Sequence, residues 1–173
     1  MIHLTQVFQT LREHQLYLRK EKCCLTTHRV EYLGHVITKD GVFTNPTKIQ
    51  VVANWLILTI VKQLRGFLGL AGYYRRFVKN FGKIDKPLTD FLRKDGFIWS
   101  PTASIAFQEL KTALTTTPVL VLPNFTKTFI VEADASGTGI GVVLMQKKHP
   151  VAYINKALGP KQQAMSIYAR ELW

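Results

Sequence analysis

The sequence predicts an α+β chain in which a β-hairpin and a basic helical segment are followed by a β-meander that enters a helix. Apolar residues recur every three or four positions through most of residues 1–115, which is typical of helices packed on a core. Three β-prone segments separated by turn signals follow between residues 127 and 158. With 173 residues, 47% of them hydrophobic, the chain suits one ordinary domain or two small ones, and disorder is not expected.

The first 45 residues predict a helix and then β-structure. Apolar residues at helical spacing favour a helix over residues 3–18. The segment VEYLGHVIT at 30–38 is β-prone, and the turn signal KDG follows it at 39–41. A small β-hairpin or ribbon is therefore expected.

Two helices are expected to follow the β-structure. Asn45 followed by Pro46 is a side-chain cap with proline at the first helical position, which predicts a helix from this pair to about Trp55. Thr59 is expected to cap the second helix. Close packing of that second helix would be permitted by three glycines, Gly66, Gly69 and Gly72.

The remaining elements repeat the same pattern of caps and breaks. A helix is expected around 84–93, ended by KDG at 94–96, and Ser100 followed by Pro101 predicts another helix to about Leu114. The segment TTTPVLVLP predicts an extended linker. Three strands are then predicted, at 127–134, 139–146 and 150–158. Gly159-Pro160 breaks the chain, and a last helix is predicted from Gln162 to Trp173.

Positive charge is concentrated in one part of the chain. The formal net charge is +12 and the pI is near 9.9, which favours a polyanionic partner, nucleic acid first of all. Residues 62–94 carry nine basic and two acidic side chains, interleaved with aromatic ones. Cations neutralise phosphates and exposed aromatic rings stack on bases. Equally, such a run can be a solvated helix face, with most of the aromatics in the core.

Cysteine usage and hydropathy bear on the compartment. The only two cysteines, Cys23 and Cys24, are adjacent, so no disulfide framework is expected and a reducing compartment fits. No apolar run approaches the roughly 20 residues of a membrane helix, and no secretory signal is evident. We expect an intracellular protein, cytoplasmic or nuclear, that is not secreted and has no membrane partner.

Two carboxylates are candidates for metal chemistry. Asp134 ends the first predicted strand of the meander, and Glu171 lies in the last predicted helix. A strand carboxylate and a helix carboxylate can converge where helix packs on sheet, and their oxygens suit Mg²⁺. Paired divalent ions promote phosphodiester hydrolysis. The alternative for both residues is ordinary surface charge.

Two further motifs have weaker functional interpretations. The glycines of GTGIG at 137–141 join two predicted strands, whereas a phosphate loop must open a helix, so a turn is favoured. A zinc site built from Cys23, Cys24, His28 and His35 is disfavoured, because adjacent cysteines lack the spacing that chelates one tetrahedral metal. A buried structural role is expected for these residues instead.

The order of several motifs resembles Gypsy-type LTR retrotransposon Pol polyproteins. The resemblance is colinear and covers essentially the whole chain. The motifs that carry it are HLTQVFQTLREHQLYL, VEYLGHVIT, KQLRGFLGLAGYYRRFVKNFG, AFQELKTALTTTPVLVLPNF, FIVEADASGTGIGVVLMQ, PVAYINKAL and YAREL.

The resemblance implies a division of the chain into three parts. Residues 1–43 would be the end of the reverse transcriptase palm, 44–98 a thumb-like helical segment, and 99–173 a truncated RNase H-like domain. In such enzymes the palm hairpin steadies the primer terminus, and the thumb holds the template–primer duplex. The nucleic-acid-binding residues implied here are Tyr32, Leu33, Gly34, His35, Lys62, Arg65, Arg75, Arg76 and Lys79.

The resemblance also implies catalytic and metal-binding roles for Asp134 and Glu171, which would be the first two Mg²⁺ ligands of the RNase H-like domain. The chain holds no YxDD-type polymerase motif, and the remaining RNase H acids of the family belong to a later strand and helix. The family's proline-containing turn after the tryptophan matching Trp55 is replaced by LILT. We therefore expect this chain alone neither to polymerise DNA nor to cleave RNA–DNA hybrids.

Three hypotheses about present activity remain open. The chain can be a fragment of a reverse transcriptase/RNase H that is active only with the rest of the Pol polyprotein. It can be a non-catalytic or co-opted module whose basic helices at 62–94 bind a nucleic-acid duplex or an RNA–DNA hybrid. It can also be a decayed reading frame without a stable fold, which cooperative unfolding would exclude.

Overall fold

The computed structural model describes residues 2–56, 58–92, 99–137, 139–166 and 169. Two three-stranded antiparallel sheets, β1-β2-β3 and β4-β5-β6, flank a group of helices. The predicted combination of an early β-hairpin, a helical segment and a later β-meander is confirmed. Within these ranges, no helix has the length and apolarity needed to cross a bilayer.

Helix α1 (Ile2–Glu13) is shorter than the predicted segment 3–18. The chain turns at Gln15, whose φ of 54° is left-handed and cannot continue a right-handed helix. The apolar stripe that suggested a longer helix is present, but none of the residues of α1 is buried. Phe8 and Val7 are about half exposed.

The first sheet consists of β1 (Arg29–Tyr32), β2 (His35–Thr38) and β3 (Gly41–Thr44). The predicted hairpin is β1-β2, and the KDG turn leads into a third strand that the sequence interpretation did not separate. Gly41, with φ of 142°, approaches the linker so closely that an added Cβ would lie 2.3 Å from Leu120 O. Val42 N donates to Leu120 O at 2.7 Å, so the extended linker joins β3 by one bridge.

Helices α2 (Pro46–Ala53) and α3 (Val61–Tyr73) follow the first sheet. The predicted cap of α2 is confirmed, because Asn45 Oδ1 accepts from Thr47 N at 2.9 Å. The predicted cap of α3 is wrong. Thr59 donates through its amide and its hydroxyl to Gln63 Oε1, at 2.9 and 3.1 Å, so its side chain caps no backbone group and the helix begins at Val61.

Helices α4 (Phe81–Phe91) and α5 (Pro101–Thr115) complete the helical group. α4 begins three residues before the predicted start at 84, because the left-handed residue Asn80 ends the preceding turn there and leads directly into the helix. The predicted Ser100 cap of α5 is confirmed, with Ser100 Oγ accepting from Ala103 N at 3.1 Å. The KDG segment at 94–96 lies outside the described residues.

The glycines of α3 do not serve the close helix packing that was predicted. An added Cβ on Gly66 would be 3.8 Å from the Trp55 ring, which is ordinary contact, and at Gly69 or Gly72 it would meet nothing within 4 Å. These positions lie on the outer side of α3, because its buried side chains Leu64 and Phe67 point to the core.

The hydrophobic core lies among the helices. Phe67 is fully buried, with its ring centroid 4.7 Å from that of Phe107. Trp99 packs on the edge of this cluster and donates to Ser104 Oγ at 2.7 Å. Helix α5 packs on α2 and α4, so helices on both sides of the predicted boundary at 98 and 99 share one core. Its buried side chains are Ala103, Ala106, Phe107, Leu110 and Leu114.

The second sheet consists of β4 (Ile130–Ala135), β5 (Gly139–Gln146) and β6 (His149–Ala157), close to the three predicted strands. The β5-β6 turn is formed by Lys147 and Lys148, both at positive φ. In contrast to the helices, the sheet has one buried strand residue, Gln146. Its amide donates to Asn124 O and Lys127 O at 2.8 and 3.1 Å, and its Oε1 accepts from Asn124 N at 2.8 Å.

The chain after β6 and the cysteines depart from expectation. The helix α6 (Pro160–Gln163) is short and begins at Pro160, inside the predicted break and two residues before the predicted start at Gln162. The rest of the predicted helix falls largely outside the described residues. The expected buried role of the cysteines is wrong, since Cys24 is exposed and Cys23 only partly buried. Both follow the short 3₁₀ turn at Lys20–Lys22, and Cys23 Sγ donates to Arg19 O.

Candidate nucleic-acid interface

The turn of the β1-β2 hairpin is held by two tyrosines at the end of α3. Leu33 and Gly34 form the turn with φ of 45° and 70°. Tyr73 donates its hydroxyl to Leu33 O, and Tyr74 donates to Gly34 O at 2.7 Å. An added Cβ on Gly34 would lie 3.3 Å from the Tyr73 ring, so glycine serves both the φ and the close approach.

The side chain that follows the turn lies among three aromatic rings. His35 stacks on Tyr73 with centroids 5.3 Å apart and planes at 10°, meets Tyr74 edge-on at 5.7 Å, and lies 5.5 Å from Phe77. Burial, and secondarily the nearby Arg76 guanidinium, lower the pKa of His35. Its Nδ1 is buried without a hydrogen-bond partner in the described part of the chain, which also disfavours the protonated ring.

Tyr74 joins three elements. Its ring is fully buried, beside the end of α3, the hairpin turn and the chain that enters α2. Burial raises the pKa of its hydroxyl, partly offset by a hydrogen bond from the Asn45 backbone. The hydroxyl therefore stays a neutral donor near pH 7 and can keep its bond to Gly34 O. Hairpin and helices are fixed to each other at this residue.

The predicted phosphate-binding cations all lie on the outer surface. Lys62 and Arg65 project from α3 on the side opposite its buried stripe, next to the open positions Gly69 and Gly72. Arg75 and Arg76 lie in a short 3₁₀ turn directly after α3. All five cations, including Lys79, are exposed, which leaves their charges free to meet an anionic partner.

Most of the interleaved aromatic residues are core residues, as was expected for the majority. Phe67, Tyr74, Phe77 and Phe81 are buried, whereas about half of the Tyr73 surface is exposed. At the hairpin tip, the structure places Tyr32 and Leu33 on the surface, 60% and 69% exposed. The exposed aromatic surface thus lies at the tip, at Tyr32, and beside it, at Tyr73.

Asp134 lies in a second location, a cleft between α4 and the second sheet. Its strand neighbour across the sheet is Gly141, which in turn pairs with Asn155. Gly141 has no side chain, and this leaves room for Asn80. A Cβ added to Gly141 would lie only 3.1 Å from Asn80 Oδ1. Asn155 donates to Val78 O at 3.0 Å. The amino end of α4 is thereby held against the strand pair that carries Asp134.

The charges around Asp134 are mixed. Glu132 lies two residues away on the same face of β4, and Lys79 and Lys83 line the helix side of the cleft. In the described ranges, no group of three or more His, Cys, Asp or Glu side chains could hold a metal ion. The cleft combines the carboxylates of Asp134 and Glu132 with three lysines, Lys79, Lys83 and Lys156. This set does not by itself fit Mg²⁺, which prefers several oxygen ligands. Glu171 lies outside the described residues.

The sequence interpretation found the hairpin and the cations but missed what joins them. Tyr73 and Tyr74 appeared only as aromatics interleaved with charge. At the end of α3 the ring of Tyr74 lies on the core side and that of Tyr73 lies beside it. Their hydrogen bonds to Gly34 and Leu33 join residues that are 40 positions apart in the sequence. No local pattern carries that pairing.

Comparison with known proteins identifies the family. The model of the RNase H-like domain found in reverse transcriptase matches residues 99–173. The retrovirus-related Pol polyprotein from transposon 297 of Drosophila melanogaster is 37% identical over 168 residues, 96% of this chain, and that from transposon gypsy of the same fly is 33% identical over 98% of the chain. The chain belongs to the retrotransposon Pol family. It represents a reverse transcriptase/RNase H-like fragment of such a polyprotein.

The fragment spans a small share of its long relatives. It covers 16% of the transposon 297 polyprotein and 18% of the gypsy one. A shorter relative, the uncharacterized mitochondrial protein AtMg00860 of Arabidopsis thaliana, is 45% identical over 132 residues, which are 75% of this chain and 84% of that protein.

Solved structures confirm the fold. The foamy viral protease-reverse transcriptase in complex with RNA/DNA hybrid superposes with a TM-score of 0.86 at 24% identity, over 98% of this chain and 24% of that one. The same viral protein in complex with dsDNA gives 0.83 over 96% of this chain and 36% of that one. The hairpin, helices and second sheet therefore follow a known reverse transcriptase arrangement.

Proposed function

We propose that this chain contributes the duplex-holding surface of a reverse transcriptase: the hairpin tip and the exposed cations of α3 and of the turn after it. One observation carries the proposal. The hairpin turn is bonded to the very end of the helix that presents the cations, so tip and cations form one surface. We name this surface, Tyr32–His35 with Lys62, Arg65, Arg75, Arg76 and Lys79, the hairpin–helix surface.

The chemistry of the hairpin–helix surface suits the backbone and sugar edge of a duplex. Five exposed cations neutralise phosphates and release counterions without reading sequence. The open backbone at Gly69 and Gly72 leaves room beside them for a close approach. Tyr32 and Leu33 offer apolar contact to a terminal sugar or base. The related foamy viral enzyme was solved with dsDNA and with an RNA/DNA hybrid, which supports a template–primer duplex or hybrid as the partner.

We assign three roles along the chain on the same basis. Residues 1–43 would end the palm, 44–98 would act as a thumb-like segment, and 99–173 would be an RNase H-like domain. The polyprotein would combine RNA-directed DNA polymerisation with hydrolysis of RNA–DNA hybrids. Asp134 and Glu171 would take part in holding Mg²⁺ only together with carboxylates of the remaining polyprotein.

The proposal is tested by the salt dependence of duplex binding. The wild-type chain and a variant with Lys62, Arg65, Arg75, Arg76 and Lys79 replaced by Ala are titrated with a 20-base-pair RNA–DNA hybrid at several salt concentrations. Each lost phosphate contact should flatten the slope of log K against log[salt] by about 0.7 to 0.9. We expect the five-residue variant to lose most of the slope.

A matched control removes the same charge elsewhere. Arg12, Arg19, Lys20, Lys22 and Lys161 are exposed cations outside the hairpin–helix surface, and their replacement by Ala should leave most of the slope in place. Equal slopes for the two variants would show that binding follows net charge alone and would overturn the assigned surface.

The second candidate is a non-catalytic binding module. The lysines opposite Asp134 in the cleft favour this hypothesis over a nuclease for the chain by itself. It predicts that the pure chain binds the hybrid but does not cut it with Mg²⁺ present. If the pure wild-type chain cleaved the hybrid and the Asp134→Asn variant did not, this hypothesis would be contradicted.

A further inference from the structure

The hairpin tip has few other attachments that could set its position relative to the cations. All four residues of β1 are exposed, from Arg29 to Tyr32, and Val36 is the buried apolar residue of the hairpin strands. The ion pair Arg29–Glu31, at 3.6 Å, lies within one exposed strand and adds little rigidity. Strand β2 also pairs with β3, but that pairing covers His35 to Thr38 and does not include the turn residues Leu33 and Gly34.

The contacts to Tyr73 and Tyr74 supply the missing attachment. Two successive carbonyls of the turn, Leu33 O and Gly34 O, each accept a hydroxyl, so the turn cannot rotate without breaking both bonds. The rings of the same two tyrosines are perpendicular, with centroids 5.0 Å apart, and both contact His35. Turn, imidazole and helix end thus form one interlocked group.

We infer that Tyr73 and Tyr74 are positioning residues that lock the hairpin tip to the end of α3, so that tip and cations meet one duplex at the same time. Their hydroxyl groups are the locking elements, while their rings belong to the packing. The inference rests on the proposed duplex binding and adds to it the means by which two distant segments act together. Without the lock, the tip must be ordered at the moment of binding, which lowers affinity.

The test replaces both tyrosines by Phe, which keeps the rings and removes the two hydroxyls. Hybrid affinity at fixed salt should fall about five- to tenfold, as expected for one or two lost neutral hydrogen bonds, while the salt slope stays within about one unit of the wild-type value because the cations remain. Tyr17→Phe, at a 96% exposed tyrosine outside the surface, is the control and should leave affinity unchanged.

A double-mutant cycle distinguishes positioning from a general loss of stability. A tip variant, Tyr32→Ala with Leu33→Gly, removes the tip side chains; glycine suits the left-handed φ at position 33. In that background the two Tyr→Phe changes should cost less than twofold in affinity, since there is no tip contact left to position. An undiminished cost would overturn the inference.

A spectroscopic readout follows the lock directly. In the Tyr73→Phe/Tyr74→Phe variant, the loosened turn should expose the His35 ring to water, and NMR titration should show the pKa of His35 rising toward its ordinary value of 6.5. The groups that face this ring are Tyr73, Tyr74, Phe77 and Arg76, and Arg76 is unchanged in the variant. If the His35 titration and the affinity were both unchanged in this variant, the lock would be overturned while duplex binding stood. If the wild-type chain showed no salt-dependent binding, the proposed function itself would be overturned.

Discussion

The helical group and the second sheet differ in how they are stabilised. The helices bury a continuous set of aromatic and aliphatic side chains, among them Phe67 and Phe107. Every residue of β4 except the last is exposed, and Val131 and Ile154 expose more than 60% of their surface. The sheet contacts the rest of the chain through Tyr153, which packs against the helical core, and through polar contacts at Gln146 and at Asn155. The surface we propose for binding is therefore built on the better packed region.

The largest expected effect breaks the helical core. Phe67→Ala removes a fully buried ring and should lower the free energy of unfolding by about 3–5 kcal/mol, measured by urea denaturation. The matched change in the sheet, Val131→Ala at a side chain that is 63% exposed, should cost under about 0.5 kcal/mol. Equal costs would mean that both regions rely on apolar burial, contrary to the comparison.

The sheet should depend on a polar residue more than on its apolar ones. Gln146→Ala leaves Asn124 N and two carbonyls without their side-chain partner and should lower the free energy of unfolding by about 1–3 kcal/mol. Gln108→Ala, at an exposed position of α5, serves as the control in the same denaturation series. A smaller cost for Gln146→Ala than for Val131→Ala would contradict the comparison.

A carboxylate in the helical group should destabilise the fold at neutral pH. Burial raises the pKa of Asp85 to about 6 from 3.8, although Thr89 Oγ donates to it. Between these two values the folded state binds more protons than the unfolded state, so the contribution of this group to stability is present below pH 3.8 and is lost as the pH rises through about 6.

Asp85→Asn should therefore raise the free energy of unfolding at pH 7 by about 1 kcal/mol, a discounted figure because the side chain is partly solvated. The same change should have little effect at pH 3.5, where the native carboxyl is already neutral. Denaturation at both pH values provides the measurement, with Asp40→Asn at an exposed turn as the control. A loss of stability at pH 7 would refute the assigned cause.

The smallest effects concern the helix caps. Asn45→Ala removes an acceptor for two backbone N–H groups of α2 and should cost about 1 kcal/mol, by thermal or urea unfolding. Thr59→Ala removes a hydroxyl that donates to Gln63 rather than capping α3, and about half that cost is expected. A larger loss at Thr59 than at Asn45 would reverse this assignment.

The sequence predicted elements whose signals are local. Asn45-Pro46 and Ser100-Pro101 mark helix starts because a cap acts within three residues of the chain. The end of α1 was missed, since the reversal at Gln15 carries no glycine or proline. The third strand was also missed, although it pairs with β2 across the predicted KDG turn; its additional bridge to Leu120, nearly 80 positions away, has no local signal.

The sequence predicted which residues belong to the candidate site but not the tertiary contacts that bring them together. Exposed cations and a β-prone YLGH segment are visible in the sequence, and the family resemblance relates them to one another. The hydroxyl bonds from Tyr73 and Tyr74 to the turn, and the seating of Asn80 over Gly141 beside Asp134, depend on tertiary packing. Neither arises from periodicity or composition.

Hydrogen exchange of the wild-type chain with and without a 20-base-pair RNA–DNA hybrid tests the central claim most directly. The account predicts slower exchange on binding at residues 32–36 and at residues 74–79, which carry the exposed Arg75, Arg76 and Lys79, with β4 and α1 unchanged. Protection confined to the second sheet, or spread evenly over the chain, would contradict the hairpin–helix surface as the place where this protein holds a duplex.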